Sequence, residues 1–182
     1  MHIYGGFAGT EENLDERNWA LHPSIIDGQG KISPLRNDLA AGGVTTTIVD
    51  GVIVQHGFNQ DGVNGNGNGG GGIFKNGAVI RNCIFRNNMT GRQKKGAALN
   101  CHAGTITLED CLFANNQSTN NGGAIQIGSG VTAKVVNGTF VNNQAEVKMG
   151  GAIGVADNTS HLTITNSILW NNLGNGLRNS YS

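Results

Sequence analysis

Charge and proline are scarce in this chain, and each scarcity closes off a class of protein. Charged residues make up 13% of 182, and the 12 basic residues cancel the 12 acidic ones. No surplus charge therefore steers the chain toward nucleic acid or an anionic membrane surface. Two prolines accompany 30 glycines, and without a G-X-Y triplet that composition is not collagen. Helix formers are too few for a helical bundle. No run of ~18 apolar residues is present to span a bilayer as a helix. The three cysteines show no C-x-x-C and no Cys/His spacing, so nothing supports a zinc site.

What the chain does have is a repeat. FRNN (85–88), FANN (113–116), FVNN (140–143) and LWNN (169–172) set Phe85, Phe113, Phe140 and Leu169 apart by 28, 27 and 29 residues. GGGI (70–73), GAAL (96–99), GGAI (122–125) and GGAI (150–153) keep the same beat, at 26, 26 and 28 residues. Two words in phase over four cycles outrank any single local motif. The apolar stretches between turns are short and alternate, as in TITLEDCLF (105–113) and HLTITNSIL (161–169), which suits strands rather than helices.

A cycle of this length is too short for a four-stranded propeller blade and fits one coil of a parallel β-solenoid. Equivalent residues then stack roughly 4.8 Å apart along the axis. Phe85, Phe113, Phe140 and Leu169 are expected to form an interior column. Asn88, Asn116, Asn143 and Asn172 are expected to form an amide ladder at a corner, where asparagine also tolerates left-handed backbone.

Extended backward, VDGVIVQHG (49–57) is read with Ile53 at the Phe position and His56 at the Asn position, and SIIDGQG (24–30) as a truncated rung. Forward, GNGL (174–177) begins one more glycine word. The expected architecture is a single all-β domain over 1–182, with about five to six coils. Residues 1–30 supply a cap and first rung, and 44–177 the repeats. The insert at 57–72 is read as a mobile loop or a Gly-rich turn within it. TEENLDER (10–17) predicts a short capping helix with Thr10 as N-cap and Trp19 packed beneath it, over the open end.

Cys83 and Cys111 fall two residues before the Phe, in a slot filled elsewhere by Gly51, Gly138 and Ser167, and Cys101 aligns with Ile127 and Val155. Stacked Cys83 and Cys111 would lie within disulfide range. A reduced sulfur stack is the simpler reading, because the ladder by itself sets that spacing.

The paired words, GGAI at Gly122–Ile125 and Gly150–Ile153 with FxxN at Phe85/Asn88, Phe113/Asn116 and Phe140/Asn143, resemble the repeats of the chlamydial polymorphic outer-membrane proteins. The opening IYGGFAGTEENLDERNWALHPSIIDGQG is similar to the start of β-helix regions in secreted or surface-anchored proteins of Bacteroidetes-type bacteria. These resemblances imply a right-handed, single-stranded parallel β-helix of the pectate-lyase type, an extracellular or cell-surface location, and a role in adhesion. The chain shows no signal peptide, C-terminal barrel or sorting tail and reads as a fragment of a longer secreted protein.

Enzymatic motifs are weak. GNGNGG (65–70) follows no buried strand and opens no helix, so it is no dinucleotide loop, and it lacks the Asp of calcium-binding nonapeptide repeats. NQDGVN (59–64) resembles the NTD word of polygalacturonases, but the aspartate pair, Gly-His-Gly and RIK words that go with it are missing. A lyase would need a base, and Arg92, Lys94 and Lys95 lie one coil after Asp61. No motif indicates calcium or another cofactor, and the sequons NMT, NQS, NGT and NTS arise by default in so Asn-rich a repeat.

The reading is therefore a non-catalytic scaffold, adhesive or glycan-contacting, with a polysaccharide lyase or glycoside hydrolase as the alternative. The expected partner is a glycan or a cell-surface ligand, without nucleic acid and without membrane insertion by this segment. The most variable segments, 57–69, 89–95, 117–121 and 144–149, should stack on one flank. That would gather Asp61, Asn64, Arg92, Lys94, Lys95, Glu146 and Lys148 as candidate contacts.

Overall fold

The computed structural model describes residues 1–37, 47–59, 69–146, 150–174 and 177–179. Strands of two to five residues, paired in parallel with the equivalent strands of adjacent coils, build four faces. Face A holds His2–Tyr4, Thr47–Asp50, Ala78–Arg81, Thr105–Glu109, Thr132–Val136 and His161–Thr165. Face B holds Ser24–Asp27, Val52–Gln55, Ile84–Arg86, Leu112–Ala114, Thr139–Val141 and Ile168–Trp170. The short face C runs through Phe58–Asn59, Met89–Thr90, Gln117–Ser118 and Gln144–Ala145. Face D runs through Leu35–Asn37, Gly72–Phe74, Leu99–Cys101, Ile125–Ile127, Ile153–Val155 and Leu177–Asn179. The chain is a parallel β-solenoid.

The core is a set of columns. Phe85 and Phe113 stack with centroids 5.2 Å apart, and Phe113 and Phe140 with centroids 4.7 Å apart, with rings within 9° of parallel. In-register parallel pairing dictates that near-face-to-face geometry, because the strands themselves stand about 4.8 Å apart. All three rings are fully buried, and each burial is worth roughly 1.5–3 kcal/mol. Leu169 continues the column at one end and Val54 at the other.

Val54, not the expected Ile53, stands in the Phe column, and Ile53 faces outward opposite Ile84. His56 is shifted with it. Its backbone is left-handed (φ 48°), matching Asn87 (φ 53°), and Gly57 stands opposite Asn88. The small-residue slot before the Phe is therefore filled by Val52, not Gly51, beside Cys83, Cys111, Gly138 and Ser167. The first glycine word also moves by one. Gly72 pairs with Leu99 and Phe74 with Cys101, so the word begins at Gly69.

The two asparagines of each pair divide the work that the sequence reading gave to one. Asn87, Asn115, Asn142 and Asn171 are the residues with left-handed backbone (φ 51–55°), and all four are exposed. Asn88, Asn116 and Asn143 have extinguished exposure and turn inward. A second left-handed corner, between faces A and B, is made by Asn82, Asp110, Asn137 and Asn166 (φ 49–53°). Short polar side chains that tolerate this conformation are what such corners require.

The expected capping helix does not form. Leu14–Glu16 make a single 3-10 turn with no side-chain cap, and none of its residues is buried. The Glu11 carboxylate instead accepts the main-chain N–H groups of Ala8, Gly9 and Thr10, and Glu16 accepts that of Glu12. Local bonds of this kind compete with helix. Trp19 lies against Gly51 at the corner of faces A and B, beside the solenoid and not beneath a cap over its end.

Cys83, Cys101 and Cys111 are buried and unbridged. The thiols of Cys83 and Cys111 donate to the carbonyls of Arg81 and Glu109, at 3.0 and 3.2 Å. Burial pushes the Cys83 thiol up to about 11 and that of Cys101 to about 12, and raises Cys111 also.

Candidate functional site

The inward asparagines form a directional ladder. Asn88 donates both its main-chain N–H (3.1 Å) and its amide (3.0 Å) to Oδ1 of Asn116. Asn116 does the same to Asn143, and Asn143 to Asn172. Each side-chain amide also reaches back to the carbonyl of Val54, Phe85, Phe113 or Phe140. At the start of the ladder, Gly57 N–H donates to Oδ1 of Asn88. Buried polar groups must be paired in this way, and the pairing fixes where each chain leaves face B and enters the variable flank.

That flank lies between face C and the left-handed glycines Gly69, Gly96, Gly122 and Gly150. Its loops are tied to one another coil by coil. Thr119 N–H donates to Oγ1 of Thr90, and its hydroxyl to the Gly91 carbonyl. Ser118 Oγ reaches the carbonyls of Lys94 and Asn121, and Asn120 Nδ2 that of Gln93. Glu146 N–H donates to the Ser118 carbonyl. On this bonded frame, Arg92, Gln93, Thr119 and Glu146 line one open groove, with contributions from three successive coils.

The flank thus brings Arg92 and Glu146 to a common groove, with Arg92 and Glu146 exposed. Lys94 and Lys95 follow in the Arg92 loop and are half-buried, and their carbonyls are used by Ser118 and Gly69. Asp61, Asn64 and Lys148 lie outside the described residues.

Two polar clusters were not anticipated. The Asp50 side chain is 1% exposed, and its Oδ2 accepts from Arg17 Nη2 (2.9 Å) and Arg81 Nε (2.8 Å), while Oδ1 accepts from Asn82 Nδ2 (2.9 Å). Burial works against the anion, but those three donors outweigh it and hold the carboxyl below its ordinary range. The Arg17 guanidinium is also ringed by Tyr4, Phe7 and Trp19, at 5.1, 5.8 and 5.8 Å from the ring centroids. This hub fastens the long first corner to the second and third coils.

In the other cluster, Asp27 is held at about 2 by the Gln55 amide, the Gln29 N–H and His56. Gln55 in turn accepts from Arg86 Nε at 2.8 Å. Once the coils are aligned, Asp50–Arg81–Glu109 and Asp27–Gln55–Arg86 read as cross-coil columns. That alignment is the signal that would have found them.

Among the described residues no group of three His, Cys, Asp or Glu side chains converges as a metal-ion cage. No described helix is long and apolar enough to cross a membrane, which says nothing of a β-barrel.

The sequence model of the Chlamydia polymorphic membrane protein repeat matches residues 110–128. That stretch is one passage of the chain from the left-handed corner at Asp110, through Phe113 and Asn116, to the glycine word and the face D strand. The chain is a parallel β-helix repeat protein, and the match falls on the residues that make the coil. No curated protein matches the chain, and neither does any solved structure.

Proposed function

We propose that the chain is a non-catalytic β-helix scaffold, secreted or held at a bacterial cell surface, whose stacked loops contact a glycan. The observation that carries this reading is the groove lined by Arg92, Gln93, Thr119 and Glu146. Its floor is main chain bonded between coils, and its rim offers a cation, an anion, an amide and a hydroxyl. Such groups make charge-assisted and neutral hydrogen bonds to sugar hydroxyls and carboxylates, and variable loops on a rigid frame are the usual seat of recognition. The surface location rests on the repeat match to a membrane-protein family.

The test is a glycan array on the whole chain, run beside a polyuronate-cleavage assay with and without calcium. Arg92→Glu, Lys94→Glu and Lys95→Glu together should abolish glycan binding and leave the circular dichroism unchanged. Binding that survives the triple change moves the site elsewhere, and cleavage of a polyuronate replaces the reading with an enzymatic one.

A further inference from the structure

The corner between faces A and B carries a second, outward ladder, and it has a gap. Asn82, Asp110, Asn137 and Asn166 occupy the same left-handed position on successive coils. The Asn166 amide donates to Oδ1 of Asn137 (2.6 Å), and the Asn137 amide to Oδ1 of Asp110 (2.8 Å). There the series stops, because a carboxylate has no proton to pass on to Asn82. It resumes one coil earlier, where the Asn82 amide donates to Oδ1 of Asp50 (2.9 Å). Asn82 Oδ1 and Asp110 Oδ2 are therefore acceptors on adjacent coils, with no donor for either among the described residues.

The gap opens into a groove of about 290 Å³ on the side of the solenoid. Asn82 and Asp110 line it together with the outward, half-buried column of Ile53, Ile84 and Leu112 and with Trp19. Trp19 packs its Cβ against Gly51 but is still 41% exposed. An indole, an aliphatic strip and two acceptors in want of donors thus share one concave surface.

We propose that this corner is a second binding site, separate from the flank groove, and that it takes a neutral sugar unit of an oligosaccharide. A pyranose has a face of C–H groups, which the indole and the aliphatic column cover, and an edge of hydroxyl donors, which the two acceptors receive. Strands of adjacent coils stand about 4.8 Å apart, so two neighbouring hydroxyls of one ring can each serve one acceptor. Charge selects the neutral ligand. Asp110 repels a uronate carboxylate. An amine would meet the Arg17 guanidinium, which already lies 5.8 Å from the Trp19 ring centroid. Among the described residues no group of three His, Cys, Asp or Glu side chains gathers to hold a metal ion.

The chain has two tryptophans, so Trp170→Phe leaves Trp19 as the sole indole and its emission as the reporter. Titration with neutral gluco-, manno- and xylo-hexaoses should give a saturable shift for at least one of them, and galacturonate hexamer and tetramethylammonium should give none. Asp110→Asn tolerates the backbone (φ 52°) and supplies the proton that Asn82 Oδ1 lacks. It should leave the melt unchanged and weaken sugar binding about tenfold, since both acceptors are then lost to the ligand. The combined Arg92→Glu, Lys94→Glu and Lys95→Glu change on the flank should leave this binding intact, which separates the two sites. No saturable response to the neutral sugars, a stronger response to either charged probe, undiminished binding by Asp110→Asn, or loss of binding in the flank variant would each overturn the proposal.

Discussion

Replacing Asn116 by leucine tests whether the amide ladder holds the coils together. The side chain makes four bonds: Nδ2 to the Phe85 carbonyl (2.9 Å) and to Asn143 Oδ1 (2.9 Å), and Oδ1 from Asn88 N–H (3.1 Å) and Asn88 Nδ2 (3.0 Å). Leucine keeps the same branched arrangement of side-chain atoms, though bulkier, but removes all four. Asn143 Oδ1 keeps a donor, the main-chain N–H of residue 116. Asn88 N–H and one proton of Asn88 Nδ2 are left without partners in an environment that water does not reach, and Phe85 O loses one of its two donors.

Each orphaned buried group costs about 1–3 kcal/mol, and burial of the leucine offsets part of the total. The net expectation is a loss of about 3–5 kcal/mol, or on the order of 6–20 °C in Tm at ~2–4 °C per kcal/mol for a chain of this size. Asn115→Gly is the control, since Asn115 is exposed, has φ 55°, and glycine accepts that backbone. Thermal and urea unfolding followed by far-UV circular dichroism would read both. A loss below about 0.5 kcal/mol for Asn116→Leu would mean that the ladder is ornamental and that the phenylalanine column alone sets the register.

Three further perturbations bear on the remaining supports. Asp50→Ala leaves the Arg17 and Arg81 guanidiniums without their shared carboxylate and should cost about 3–5 kcal/mol, with proteolysis beginning in the corner at 5–23; an unchanged melt and cleavage pattern would dismiss the hub. At Gly123 an added Cβ would stand 1.9 Å from the Gly151 carbonyl oxygen, so Gly123→Ala should cost about 1–3 kcal/mol or more, while Ala97, at the equivalent place one coil earlier, is already accommodated; equal stability of the variant would refute that close approach. Acid should destabilise the fold. Asp27 and Asp50 have folded pKa values below their unfolded ones, so their contribution is complete above about pH 4 and is lost as pH falls toward about 2; a melting temperature that is flat from pH 5 to below about 3 would sink this expectation.

The fold was legible because its two words each mark a physical necessity. The Phe position must fill the interior in every coil, and the glycine word must turn left-handed just before face D, so neither drifts. Where the reading slipped, it slipped by one residue, which in a strand exchanges inside for outside. Ile53 and Val54 are both β-branched, so hydrophobicity could not choose between them. The choice is made by Gly57 meeting Asn88 and by the corner at Gly51. Likewise the glycine run from 69 to 72 accepts either frame, and Phe74 decides it by filling the interior opposite Cys101. The outward column of Ile25, Ile53, Ile84 and Leu112 blurs the alternation further. The Arg17–Asp50 hub was invisible because its partners are 33 residues apart and belong to no repeat.

The separation of roles within each coil bears directly on the flank as a binding surface. Coil-to-coil cohesion is supplied by inward columns, the asparagine ladder and main-chain bonds such as Glu146 N–H to the Ser118 carbonyl. None of these uses the side chains of Arg92 or Glu146, so those side chains can be set by a ligand without cost to the fold. Because the backbone beneath them is fixed, they are presented at multiples of the strand spacing, about 4.8 Å per coil. A polymer with regularly repeated hydroxyl or carboxylate groups could then engage several coils at once. Weak single contacts would combine as linked sites do, through high effective concentration, and stiffness of the solenoid would keep that gain from being lost to loop ordering. Binding of such a polymer should therefore strengthen steeply with its length, and a ligand bound equally well as a monomer and as a long chain would argue for a single pocket instead.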